Sequence, residues 1–175
     1  GVGHILHFVS DILERAAEKV LAVREPWAQK NPEVLTRLIR AHGKAADFIE
    51  NPGNRDEVSR ILGAPERIGV DPEVIRRTLD GRLKISPDGT FRESGRYLLV
   101  GREGAARPDP VQAAWLYAQM VRWGQAAYSS EALETAKKVF RSDLYDAALG
   151  SSVPPAHAVK DGVGAFDGAP FDPND

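Results

Sequence analysis

Glu18 and Lys19 stand at the entrance of a short apolar run, Val20, Leu21, Ala22 and Val23, which breaks at Pro26. A lysine fixed at a strand end can aim its ammonium at a small anion, because the strand sets where the charge sits. A solvated strand end would look the same. His4 and His7 are spaced i, i+3, which could serve a metal on a helix, but in a strand they point to opposite faces. His42 falls on the apolar side of a helical repeat and reads as a hydrogen-bonded packing histidine. Gly1, Val2 and Gly3 lack the third glycine and the preceding strand of a dinucleotide fingerprint, and Gly43-Lys44 is followed by Ala45 within a helix, so neither is a phosphate loop. Asp161, Asp167, Asp172 and Asp175 do not have calcium-loop spacing and read as a solvated acidic end. Ser129 and Ser130 cap a helix, with no histidine nearby in sequence to activate them. No catalytic, cofactor or metal constellation emerges, and the pattern is that of a binding or interaction module.

The elements that must position these residues belong to a chain of 175 residues, one domain or one large lobe of a bigger protein. At 42% hydrophobic and 27% charged residues it falls in the soluble globular class. No run approaches the ~18 to 20 apolar residues of a membrane span. A formal charge of -2 without a Lys/Arg run argues against nucleic acid. The absence of cysteine removes disulfides, thiolate metal sites and cysteine nucleophiles. Residue 1 is Gly rather than Met and no signal peptide is visible, so the beginning reads as an internal start.

Ile5, Leu6, His7, Phe8 and Val9, and again residues 20–23, read as buried strands whose partners lie elsewhere, since two short strands cannot form a stable sheet alone. Helical grammar follows. Asn31-Pro32 opens a helix whose apolar positions are Leu35, Leu38, Ile39, His42, Ala45, Ala46 and Ile49, and residues 51–53 stop it. A second opens at Asn54, with Glu57 three residues on, and buries Val58, Ile61 and Leu62. A third opens at Asp71-Pro72, carries Val74, Ile75 and Leu79, and ends at Gly81. Residues 83–85 and 90–92 flank Ser86, Pro87, Asp88 and Gly89 as a small hairpin. The most apolar helix spans residues 110–123 and should be the central buried element, with Trp115, Met120 and Trp123 in the core rather than on a partner-binding stripe. Further helices are expected over residues 130–140 and near 143–149. Residues 150–175, rich in Gly, Pro, Asp and Ala, read as an irregular arm, leaving 1–149 as the folded portion.

Several segments resemble one family. Ser10-Asp11-Ile12, Glu18-Lys19-Val20-Leu21, Pro26-Trp27 and Asn31-Pro32 are similar to the nitrate/nitrite/bicarbonate-type substrate-binding proteins of ABC transporters, which include cytoplasmic nitrate sensors. So are residues 114–125, 136–145 and the ending Phe166, Asp167, Gly168 with Phe171, Asp172, Pro173. The resemblance implies an α/β fold, mainly α in this chain, forming the C-terminal part of a two-lobed periplasmic-binding-protein (type II) architecture. It implies no enzymatic activity and no cofactor. The expected ligand is a small oxyanion, bound with Lys19 as the anion-contacting residue and Glu18 beside it. The expected partner is the membrane component of an ABC transporter, outside the cytoplasm; alternatively, a cytoplasmic sensor would regulate an antiterminator protein. An enzyme on a related two-lobed fold is the more distant reading. Ala17, Ala22 and Leu13 depart from the proline, glycine and tryptophan usual at those places, which bears on the shape of the pocket.

Overall fold

The computed structural model describes residues 3–13, 16 and 18–150. It is mainly helical, with one two-stranded sheet. The helices are α1 (Glu25–Lys30), α2 (Pro32–Glu50), α3 (Arg55–Gly63), α4 (Pro72–Leu79), α5 (Pro110–Arg122), α6 (Ser130–Val139) and α7 (Ser142–Leu149); the strands are β1 (Arg82–Lys84) and β2 (Phe91–Glu93). The α6 and α7 segments run as the sequence pattern indicates. The arm over residues 151–175 lies outside the described residues.

Local chemistry explains the element ends. Proline occupies the first turn of α1, α2, α4 and α5, where its missing N–H costs nothing and its fixed φ suits a helix. The carboxylates of Asp71 and Asp109 and the hydroxyl of Ser129 accept from free N–H groups at the starts of α4, α5 and α6. Asn31 and Asn54 begin helices without capping them: each donates its side-chain amide back to a carbonyl, Asn31 to Trp27 and Asn54 to Phe48. The sequence reading of Pro26 as a break hides α1, because the proline sits within that helix's first turn rather than ending a segment. After α4 the chain reverses at Gly81, whose φ is +70° and where an added Cβ would stand 2.2 Å from the carbonyl oxygen of Ser94. The hairpin then pairs Arg82 with Glu93, Leu83 with Arg92 and Lys84 with Phe91. Its turn is held by Asp88, which accepts from the backbone and hydroxyl of Thr90.

Packing proceeds by helix pairs: α2 on α7, α3 on α4, and α5 on α6. Gly43 lets α2 approach α7, since a side chain there would press on Leu149. Arg40 donates to the carbonyl of Ala148 across the same contact. Between α3 and α4, Arg55 and Arg76 share the Asp80 carboxylate, and Arg76 also reaches Asp56. Tyr117 joins α5 to the entry of α6, its hydroxyl donating to Ala127 O at 2.7 Å and accepting from Ser129 N–H at 2.9 Å.

Several expectations about burial fail. Residues 20–23 form no strand and are exposed, Val20 at 63%. Residues 5–9 contribute only Phe8 to the interior; Leu6 is 81% exposed, and Val9 begins a 3-10 turn. A strand is buried by its neighbours, and neither segment is a member of the described sheet, which consists of β1 and β2. His42 and Ala45 face solvent, and the buried side of α2 is Leu35, Gly43 and Ala46. The packed face of α3 is Val58 with Ser59, while Ile61 and, on α4, Val74 are exposed. In α5 the buried side is Ala113, Ala114 and Tyr117; Trp115 is half-buried, and Leu116, Met120 and Trp123 are exposed. An all-round apolar helix was expected to be buried all round, but α6 covers one side of α5 among the described elements.

Candidate functional site

Residues 18–24 run without turn or bend up to the start of α1. Glu18 and Lys19 are both exposed, and neither forms a hydrogen bond or ion pair with another described residue. Backbone partners are missing too: among the described residues, none of the N–H or carbonyl groups of residues 18–23 is paired. The two residues singled out by sequence are therefore neighbours on an open run without regular structure, and among the described residues neither has a charged partner.

The segment is positioned from both ends. Downstream, Arg24 accepts the first amides of α1 at its carbonyl, from Trp27 and Ala28, each at 3.0 Å. Upstream, the start of the chain is fastened to the hairpin. Ile5 N–H donates to Ile85 O at 2.9 Å. Phe8 packs edge-on to Tyr97 with ring centroids 5.0 Å apart, beneath the Arg92 guanidinium at 4.6 Å. Arg92 grips Asp11 through two bonds of 2.6 Å, and Asp11 also accepts from Phe8 N–H at 2.7 Å. The Arg92 bond and then the Phe8 amide hold the Asp11 carboxyl below the usual carboxylate range, and Asp11 in turn raises Arg92. Sequence reasoning missed this clamp. Its members lie 81 residues apart, and no local spacing joins them.

Other arginines are paired with carboxylates away from Lys19. Arg107 makes a two-pronged contact with Asp146 at 2.8 and 2.7 Å, and Arg141 does so with Asp143 at 2.8 and 2.6 Å. Glu50 closes α2 against the loop before α5. Burial opposes its charge, but the amides of Val100, Gly101 and Arg102 together with the Arg102 guanidinium outweigh that and keep its carboxyl below its ordinary value. His4 and His7 are exposed, and no group of His, Asp or Glu among the described residues could hold a metal ion. A shallow cleft of about 200 Å³ lies between α2, α7 and the loop, lined in part by Lys44, Asp47 and Tyr145. It carries charges of both signs and does not extend to Lys19. In water, an exposed ammonium and a monovalent anion ~4 Å apart attract by only ~1 kcal/mol. A single exposed lysine of this kind is not by itself a binding site.

The NMT1-like family description matches residues 1–63. The nitrate import ATP-binding protein NrtC of Synechococcus elongatus is 31% identical over 99% of this chain, which spans 26% of that protein. The nitrate/nitrite binding protein NrtA of the same organism is 27% identical over 98% of this chain and 40% of its own length. Bicarbonate-transport relatives match as well. The crystal structure of the periplasmic nitrate-binding protein NrtA from Synechocystis PCC 6803 superposes with a TM-score of 0.80 at 24% identity, covering 94% of this chain and 44% of that one. The chain is similar to nitrate- and bicarbonate-transport proteins of the substrate-binding type. Its helices and hairpin have the fold of a part of such a two-lobed protein, and it spans less than half the length of these relatives. The antiterminator-linked sensor finds no support among them.

Proposed function

We propose that these residues are the C-terminal portion of a solute-binding protein for a small oxyanion of the nitrate or bicarbonate type, serving an ABC transporter outside the cytoplasm. The observation that carries this reading is the superposition of 94% of the chain on a periplasmic nitrate-binding protein. No bond is made or broken in such a function. Two lobes close on the anion, and the closed form is what the transporter's membrane component recognises. Lys19 supplies one charge-assisted contact from the run that leads into α1, with Glu18 beside it in sequence.

The test is a chimera in which residues 1–175 replace the matching 44% of the Synechocystis protein. Calorimetric titration with nitrate, nitrite and bicarbonate should show binding by the chimera and little or none by the 175-residue chain alone. Lys19→Gln in the chimera should weaken binding by about 1–3 kcal/mol, as for the loss of one charge-assisted hydrogen bond. Unchanged affinity would return Lys19 to a solvated surface role.

A second reading has its own observation. The 31% match is to a protein named as the ATP-binding subunit of a nitrate importer. The present sequence has no glycine-rich phosphate loop, so the shared segment is not the nucleotide-binding part of that protein. An anion-responsive segment joined to a transport ATPase would share the fold and the ligand class while facing the other side of the membrane. Fractionation of the native protein separates the two readings.

A further inference from the structure

The cleft between α2, α7 and the loop before α5 is framed on every side by elements of this chain, and its walls are pinned without the space being filled. Arg40 donates to the carbonyl of Ala148, and Gly43 lies against Leu149, which fixes α2 on α7. Arg107 ties the loop to α7 through Asp146 at 2.8 and 2.7 Å. Glu50 ties the other end of the loop to α2, accepting from Val100 N–H at 2.7 Å and Gly101 N–H at 3.0 Å. Gly101 is so close to α2 that an added Cβ would stand 3.0 Å from the Ala46 methyl group. The space left between these contacts is about 200 Å³.

Three polar side chains line it, and the fold uses none of them. Lys44 and Asp47 are three residues apart on α2, a spacing at which opposite charges commonly pair. Among the described residues neither side chain makes an ion pair or a hydrogen bond, and the Tyr145 hydroxyl has no hydrogen-bond partner. The neighbouring charges are matched, Arg107 by Asp146 and Arg102 by Glu50. Burial first, and then the charges of Asp47 and Asp146, push the Tyr145 phenol up, so its hydroxyl keeps its proton.

We propose that this cleft is a second small-molecule site, and that its ligand is an α-amino acid bound as the zwitterion. The carboxylate pairs with Lys44 and accepts from the Tyr145 hydroxyl, the ammonium pairs with Asp47, and a small side chain lies over Ala106 and Leu149. A ligand of one charge would leave the opposite protein charge unmatched, whereas a zwitterion matches both at once. The lining also sets the cleft apart from surfaces made to be covered by protein, since enclosing an unpaired ammonium and carboxylate is costly. The site does not include Lys19 and stands whether or not the oxyanion reading does.

Nuclear magnetic resonance titration of the 175-residue chain tests this, read at the amides of Gly43 and Gly101, which line the cleft. L-Alanine should shift both, and should bind about 10-fold or more tightly than acetate or methylammonium, each of which offers only one of the two charges. Asp47→Asn should weaken alanine by about 10-fold without weakening acetate, and Lys44→Met should weaken alanine by a similar factor without weakening methylammonium. A merely structural effect would move all three probes together. Ala106→Leu, which fills the cleft and keeps both charges, should abolish the alanine shifts; should it fail to fold, the two charge variants decide. Equal affinity for alanine and acetate would reduce the site to a surface lysine meeting an anion. Absence of shifts at Gly43 and Gly101 with alanine would mean a groove that holds no zwitterion. Alanine binding untouched by the variants would place it elsewhere on the chain. Each of these three results overturns the proposal.

Discussion

At the scale of single residues, the most informative groups are those whose charges are fully engaged. Glu50 is a single carboxylate that receives three backbone amides and a guanidinium, binding the end of α2 to the loop at residues 100–102. Its folded value lies below the ordinary 4.5, so the unfolded chain holds the proton more readily. The stability it contributes is therefore fully present above about pH 4.5 and is lost as the pH falls through the lowered folded value. Glu50→Gln should lower stability at pH 7 by about 1–3 kcal/mol, as for the loss of hydrogen bonds to a charged group. It should also flatten the acid limb of a plot of melting temperature against pH. An acid limb identical to that of the parent would remove Glu50 from the account. Tyr117 supports a second comparison. Tyr117→Phe strands the Ala127 carbonyl and the Ser129 amide and should cost about 1–3 kcal/mol. Trp115→Ala, from a half-buried position, should cost less than the ~3–5 kcal/mol of a core aromatic truncation. Chemical denaturation of the two variants checks both figures.

At the scale of elements, what could be read from sequence is what local chemistry determines. The Asp71-Pro72 start of α4, the Asp88-Gly89 turn and the Ser129 cap each depend on residues within three or four positions, and each appears where the spacing predicts. The outward faces could not be read in this way. Residues 20–23 and the length of α5 are apolar enough to be buried, but burial depends on which other element lies alongside, and no residue of the segment encodes that. The clamp formed by Phe8, Asp11, Arg92 and Tyr97 was hidden for the same reason, as was the Arg107–Asp146 bridge. The candidate site was legible only as residue types at a position: the structure locates Lys19 and Glu18 on an open run, without a partner among the described residues. Gly81 shows how strict the local rules can be where they do apply. Its positive φ and the nearby Ser94 carbonyl leave no room for a side chain at the join of α4 and β1. Gly81→Ala should cost about 1–3 kcal/mol from backbone strain alone, with the clash in addition. An unchanged midpoint in urea would mean that the hairpin shifts to accommodate the methyl group.

At the scale of the whole molecule, the distribution of exposed apolar groups points in one direction. None of the larger described side chains is completely enclosed, while Leu6, Val20, Leu116, Trp123 and Tyr128 all stand in solvent at 39% exposure or more. Scattered exposed apolar residues are ordinary, but exposed runs along a backbone edge and along one side of a helix mark surfaces made to be covered. Leu116 and Met120 are spaced i, i+4 on α5, and Trp123 follows just past its end, so the three form such a side. Removal of these two surfaces from water would add to stability without any change inside the helix pairs, because the hydrophobic term follows apolar area wherever it is buried, at about 25 cal/mol per Å². The 175-residue chain should accordingly bind an environment-sensitive apolar dye under native conditions while its far-ultraviolet circular dichroism stays helical. In the chimera with the Synechocystis portion, dye binding should fall and the melting temperature of α2 and α5, followed by amide exchange, should rise. Leu21→Lys should remove part of the dye signal from the isolated chain without lowering its melting temperature, since that side chain packs on little there, yet it should destabilise the chimera. If Leu21→Lys were equally harmless in both, the run at residues 18–23 would be a solvated surface in the longer fold as well. The apolar character of Val20, Leu21 and Val23 would then have to be explained by something other than a neighbouring strand.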